Sequence, residues 1–252
     1  MQNSLNDYKN NGFFLFKNCV DVSFILELQS KVRNVFKNFC DGSDKGIIDL
    51  YKNNKSCYVG CAKACHNIPE IYLIYSYLKN VFSELNINCP LYNMRPVLHF
   101  SSKFTSSHDF YWKANPHQDW YGMRGSLDGV VLWIPIFDIK KDHGFLELSP
   151  GSHKAGLQEH KESGPTFEIL NTDERVFSPI PCAVGDALCF SAFTIHRSGL
   201  NVTDSIRMVV SLRFDNSEED SFVEKVFPQS FNYVRNDIST HYNKEKLDAI
   251  FT

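Results

Sequence analysis

The chain has no apolar run approaching the roughly 18 to 20 residues that a membrane-spanning helix needs. It also lacks a basic stripe: lysines are scattered, only Lys140 and Lys141 are adjacent, and the formal net charge is -3 with a pI near 6.3. Phosphate backbones call for clustered positive charge, so nucleic acid is an unsuitable partner. The start, Met1-Gln2-Asn3-Ser4, is without the charged-then-apolar organisation of a signal peptide. The expectation is a soluble, cytoplasmic protein that does not engage a membrane. Cysteine is present but unpatterned. No C-x2-C pair occurs, and Cys57, Cys61 and Cys65 instead fall four apart, which places three thiols along one helical face as small core residues rather than as metal ligands. Cys19, Cys40, Cys89, Cys182 and Cys189 show no framework spacing, so reduced thiols are expected. Internal repeats and low-complexity tracts are likewise missing.

What is there suits one large domain. The 252 residues are 43% hydrophobic, enough for a sizeable core. Apolar residues at helical spacing predict an amphipathic helix over 22–39 behind an Asp21 cap, and a second from Pro69 through Leu85. From Leu91 onward the apolar runs shorten and β-branched residues rise between turns such as Asp142-His143-Gly144 and Pro150-Gly151. Val130 to Phe137 is apolar on both faces, as expected of a strand covered on both sides. The pattern predicts an α+β fold: a double-stranded β-helix, or jelly roll, over about 91–216, with helices of the N-terminal part (about 1–90) packed outside and a C-terminal extension over about 217–252. Ser101 to Pro116 and Lys154 to Pro179 lack periodicity and are candidate lids or substrate loops.

The chemistry concentrates in His117-Gln118-Asp119. In an extended segment alternate side chains share a face, so His117 and Asp119 project together while Gln118 points away. Two imidazoles and one carboxylate on one face of an ion suit non-haem Fe(II) and O2 chemistry, and His196, 79 residues on, is the best third ligand. Gly185-Asp186 signals a turn, Ala187 to Phe190 a short strand, and Ile206 to Phe214 a longer one with Arg207, Val209, Ser211 and Arg213 on one face. An arginine facing the interior of a β sandwich is costly unless it meets an anion, and a dicarboxylate cosubstrate would be one.

Pro116-His117-Gln118-Asp119-Trp120, Trp133-Ile134-Pro135 leading to Gly144, Pro150-Gly151-Ser152-His153-Lys154, and His196-Arg197-Ser198-Gly199 with Asn201 and Arg207 together resemble the phytanoyl-CoA dioxygenase family of Fe(II)- and 2-oxoglutarate-dependent oxygenases, in outline over residues 7–216. The resemblance implies that His117, Asp119 and His196 bind iron, that Arg207 with the Ser198 hydroxyl holds the distal carboxylate of 2-oxoglutarate, and that Trp133 lies near this cosubstrate. O2 is then the second cosubstrate, and hydroxylation the expected reaction. One departure is visible: many members carry Asn before the glycine at 144, where this chain has His143, which alters a turn.

The substrate is less legible. Trp120, Tyr121 and Arg124 follow Asp119 directly and are candidate substrate contacts, with Asn93 and Arg95 behind them; His99 and His108 are candidates to face the cavity. Glu147 faces either the pocket or solvent. His66, His143, His160 and His241 read as surface or turn residues, and His153 as a structural part of its turn. An acyl-CoA fits poorly, because its phosphates would favour a basic patch. A small polar metabolite or biosynthetic intermediate fits better. The rival reading is a cupin-like metal-binding sensor or isomerase using the same three ligands, and a buried guanidinium 11 residues past the last ligand is what such a protein would not need.

Overall fold

The computed structural model describes residues 2–105, 115–163, 166–171, 175–228 and 242–251. It begins with helix α1 (Gln2–Asn11), strand β1 (Phe13–Phe16) and helix α2 (Val22–Phe36). The Asp21 carboxylate accepts from Ser23 N, satisfying one of the orphan donors in the first turn of α2. Ile25, Leu28, Val32 and Phe36, three or four apart, form its buried stripe. Burying each such side chain contributes about 1.5–3 kcal/mol relative to leaving it exposed. The periodicity over 22–39 overshoots. Phe39 is 58% exposed, because the chain leaves the helix at Lys37 and the 3.6-residue register no longer carries it inward.

Two helices follow, α3 (Asp44–Asn53) and α4 (Lys55–Cys65), and α4 turns Cys61 and Cys65 into the core with Cys57 at its margin. The helix expected from Pro69 is interrupted: α5 (Pro69–Leu73) tightens into a 3₁₀ turn over Ile74–Tyr77 before α6 (Lys79–Glu84). Ile71, Ile74, Leu78, Val81, Phe82 and Leu85 are buried nonetheless, so the break changes the path of the chain without turning the stripe away from the core.

The remaining strands are β2 (Pro90–Tyr92), β3 (Val97–Ser101), β4 (Val130–Pro135), β5 (Leu146–Leu148), β6 (His160–Ser163), β7 (Thr166–Ile169), β8 (Ser178–Ile180), β9 (Ala187–Ser191), β10 (His196–Ser198) and β11 (Arg207–Asn216). A one-turn helix α7 (Trp120–Met123) precedes β4, and α8 (Asp220–Glu224) and α9 (Lys244–Phe251) follow β11. The larger sheet runs β1-β9-β4-β11-β2, with β3 also on β11; the smaller runs β10-β5-β8; β6 and β7 form a separate hairpin, and these neighbours pair antiparallel. The first strand, inside the segment read as helical, forms the edge of the larger sheet by pairing with β9.

Strand β4 shows how the layers are assembled. Val130, Leu132 and Ile134 pack with the helices, whereas Val131 and Trp133 face inward with Leu146, Leu148, Leu188, Phe190 and Val209 of the strands. Every residue of β4 is buried, as the two-faced apolar run predicts. The result is the expected α+β jelly roll with helices against the outer face of one sheet. No helix among the described residues is long and apolar enough to cross a membrane.

The stretch Lys154 to Pro179 is not without structure. It holds β6, β7 and the start of β8, short strands whose polar and aromatic alternation carries no apolar period. Of Ser101 to Pro116, positions 106–114 lie outside the described residues, and with them His108; His241 does too.

Candidate metal centre

His117 and His196 are brought together by the backbone before their side chains act. Each donates its N–H to the other's carbonyl at 3.0 Å, an isolated antiparallel bridge that sets the two rings 4.2 Å apart. The carbonyls two residues before each ring, Asn115 O at 2.7 Å and Thr194 O at 3.0 Å, accept from Nδ1 and leave both Nε2 atoms facing the cavity as acceptors. Asp119 stands where the extended segment bends into α7, with Oδ1 3.7 Å from His117 Nε2 and Oδ2 3.8 Å from His196 Nε2. The three donor groups lie within 4.8 Å of one another. Gln118 points the other way, as alternation requires. Its amide donates to Gly156 O and Phe193 O and accepts from Gln158 N, so it is satisfied on the back of the site.

The electrostatics favour a cation between these groups. Burial alone would push the Asp119 carboxyl up, but the Arg213 guanidinium, with His117 and His196, outweighs it and holds the carboxyl well below the usual range. Burial, then the neighbouring His117, push His196 down to about 3, so at physiological pH it offers a neutral imidazole. Asp119 Oδ2 is buried without a hydrogen-bond partner among the described residues. An unpaired anionic oxygen beside two imidazole lone pairs is a donor set that a divalent ion would complete.

Along the cavity from this cluster lie Ser198, Trp133 and Arg207, together with the apolar wall of Leu146, Phe190 and Val209. Arg207 is 3% exposed, and burial pushes its guanidinium down to about 10, still a cation at neutral pH. Its Nη1 donates to Gly144 O and, at 3.2 Å, to Gly199 O, which fixes the plane of the group. Both glycines are required by this approach. Gly144 has φ +74, and a Cβ on Gly199 would stand 2.2 Å from Phe145 O. Arg207 Nε is buried and unpartnered among the described residues, which suits a guanidinium built to receive a carboxylate. Asn201 closes the intervening loop, donating to Ser101 O and Ser205 O. His143 is a turn residue, its Nδ1 accepting from Lys140 N at 3.2 Å.

Other sequence candidates separate. His99 pairs across β11 with Val209 and lines the cavity; burial first, then Arg213 and Arg207, push it down to about 3. Trp120 does not reach the cavity: it is fully buried, stacks on Phe193 and donates to Ser126 O. Arg124 ends α7 in the left-handed conformation and donates to Tyr121 O, while Asn93 donates to Met123 O and Asp215. Arg95 is exposed. Glu147 pairs with Arg197 across β5 and β10, away from the cavity. His153 is buried and ties its turn to Lys9 O of α1. Tyr121 packs against His160 and Phe167, and the Phe167 ring in turn lies 5.7 Å from that of His117.

His160, read from the sequence as a surface or turn residue, is part of the site's support. Its Nδ1 donates to Gln158 O, leaving Nε2 to accept the backbone N–H of Gln118, between the two ligands, at 3.2 Å. Its ring stacks on Tyr121 with centroids 4.5 Å apart, and Ile169 N bonds Pro116 O at 2.9 Å, so the β6–β7 hairpin is sewn to the ligand segment. No spacing in the sequence announces this contact. Replacing His160 with Phe keeps the ring but strands the Gln118 N–H, costing about 1–3 kcal/mol of stability. Fe(II) affinity should fall roughly 10- to 100-fold, the usual effect of losing such support. Anaerobic metal titration alongside thermal denaturation checks this, and unchanged iron affinity would make His160 a packing residue only.

The chain is similar to known proteins in sequence and in fold. The bovine (Bos taurus) peroxisomal phytanoyl-CoA dioxygenase is 27% identical over 235 residues, 82% of this chain and 66% of that one. A 1-deoxypentalenic acid 11-beta-hydroxylase of Streptomyces arenae is 32% identical over 99 residues, 34% of each. The chain thus spans less than two thirds of the length of either relative. Among solved structures, the non-haem alpha-ketoglutarate-dependent carbocyclase SnoK of nogalamycin biosynthesis superposes with a TM-score of 0.59 at 13% identity, over 90% of this chain and 91% of that one, a likeness of fold. The phytanoyl-CoA dioxygenase (PhyH) family model matches residues 8–209, and the chain belongs to that family.

Proposed function

We propose that this protein is an Fe(II)- and 2-oxoglutarate-dependent dioxygenase of one catalytic domain that hydroxylates a small polar metabolite or biosynthetic intermediate. The observation that carries the reading is the convergence of His117, Asp119 and His196 at one end of a cavity whose other wall holds the buried cation Arg207. Iron bound there, with 2-oxoglutarate and O2, supplies the oxidising power to functionalise a C–H bond, releasing succinate and CO2. The chain supplies orientation and seclusion. His117 and His196 offer Nε2, Asp119 offers Oδ2, Arg207 with Ser198 holds the distal carboxylate of the cosubstrate, and Trp133 with Leu146, Phe190 and Val209 keeps bulk water from the reacting centre. Because Asp119 occupies a ligand position, halide has no vacated place, which favours hydroxylation; the hydroxylase relative from Streptomyces supports the same choice.

The test is direct. Protein loaded anaerobically with Fe(II) and 2-oxoglutarate is exposed to O2, and succinate is quantified against a metal-free control. Slow succinate formation without added substrate is expected. Succinate at the level of the control would overturn the reading in favour of a metal-binding protein without oxygenase activity.

A further inference from the structure

Three fully charged side chains line the cavity among the described residues, and they do not cancel. Under the function proposed above, Fe(II) and the 2-oxoglutarate dianion enter with equal and opposite charge, and the single Asp119 carboxylate offsets one of the two guanidinium groups, so the cavity keeps a net positive charge. Arg213 pairs with Asp119 yet keeps a donor unused. Its side chain is 9% exposed, with Nη2 3.1 Å from Asp119 Oδ1 and Nη1 buried without a hydrogen-bond partner among the described residues. The next acid along that face of β11, Asp215, does not serve it: the Asp215 carboxylate accepts from Ser126 N at 2.9 Å and Asn93 Nδ2 at 2.7 Å. His99, His117 and His196, on the same cavity, can supply no negative charge in either protonation state.

A guanidinium nitrogen with no acceptor is expensive in a buried site, and the cost is recovered when an anion arrives. Arg207, Val209, Ser211 and Arg213 share the cavity face of β11, so Arg207 and Arg213 mark its two ends, with the metal ligands beside Arg213. The cosubstrate is committed to Arg207 at one end and to the metal at the other. Nη1 of Arg213 therefore remains for a second ligand next to the reacting centre.

We propose that the primary substrate carries an anionic group, a carboxylate in the simplest case, that pairs with Arg213 Nη1 and so places a neighbouring C–H bond over the metal. This rests on the function proposed above and narrows it to acids among small metabolites. Simultaneous contact with Asp119 and the substrate makes Arg213 the residue through which substrate binding is felt at the iron ligand.

The experiment uses the full chain, anaerobic, with Fe(II) and saturating 2-oxoglutarate, and follows the Fe(II)–2-oxoglutarate charge-transfer absorption while benzoate, benzamide or benzylammonium is titrated. Appearance of the absorption before any probe is added tests the proposed function by itself, and its absence would sink that reading. Benzoate is expected to perturb the band with an affinity at least about tenfold above benzamide, and benzylammonium to have no effect. Arg213→Gln should erase the preference and Arg213→Lys retain part of it, with iron content matched to the unaltered protein. Failure of benzoate to bind, equal binding of benzamide, or a preference that survives Arg213→Gln would overturn the proposal. So would weakened 2-oxoglutarate binding in Arg213→Gln with benzoate binding intact, which would identify the cosubstrate's own inner carboxylate as the anion received.

Discussion

Replacing His117, Asp119 or His196 by alanine is expected to abolish 2-oxoglutarate turnover, each by removing one of the three groups that converge within 4.8 Å. The three variants should not be equivalent in stability. His117→Ala and His196→Ala remove rings whose Nδ1 atoms bond only local carbonyls, and the backbone bridge between positions 117 and 196 survives both changes. Asp119→Ala also strips Arg213 of its carboxylate partner, leaving a buried guanidinium uncompensated, a loss of about 3–5 kcal/mol. Asp119→Asn is the milder probe of stability, since the amide oxygen can still accept from Arg213 while the amide NH2 takes the place of Oδ2 and offers the metal nothing. Succinate release, iron per chain and thermal midpoint measured together separate lost chemistry from lost structure. Full turnover in any one variant would remove that residue from the ligand set.

Arg207→Met should raise the apparent Kd for 2-oxoglutarate by about 30-fold or more while Fe(II) still binds. Losing a charge-assisted pair in a desolvated pocket costs about 2–5 kcal/mol, and each 1.4 kcal/mol is roughly a factor of ten. Methionine keeps much of the volume, so the wall formed with Val209 stays packed and the variant reports on charge. Isothermal titration of the Co(II)-loaded protein with 2-oxoglutarate, in the absence of turnover, measures the change. An affinity within twofold of the unaltered chain would mean that Arg207 serves only the carbonyls of Gly144 and Gly199.

The convergence of His117 and Asp119 was readable in the sequence because the alternation of an extended segment fixes which of His117, Gln118 and Asp119 share a face, and the same rule placed Arg207 and Arg213 together on one side of their strand. The layering of β4 was readable from an apolar run with no polar face. Legibility failed where partners are distant and contacts are made by polar or backbone groups. His160 meets Gln118 N across 42 positions, and nothing in its neighbourhood marks the bond. Trp120 follows a ligand directly yet turns into the core, because a helix begins at that residue and rotates it away from the cavity, which proximity in sequence could not reveal. The hairpin of β6 and β7 escaped for the complementary reason: strands of four residues with mixed polar and aromatic side chains have too few positions to establish a period.

The pairing of β1 with β9 has a consequence for how the chain is made. Phe13, Phe14, Leu15 and Phe16 leave the ribosome early, but their partners, from Ala187 to Phe190, are the last part of the larger sheet before β11. At bacterial or eukaryotic synthesis rates of about 5–20 residues per second, this aromatic tetrapeptide waits on the order of ten seconds or more with no strand to join. Such a segment, rich in Phe and carrying no charge, is an attractive site for a chaperone and a hazard for association with other nascent chains. The helices between α2 and α6 can collapse in that interval, since their contacts are local, but the sheet cannot close until β9 and β11 have both emerged. Slow recovery from denaturant and a yield that improves at low growth temperature are the expected signatures of a fold whose first strand is among the last to find its place.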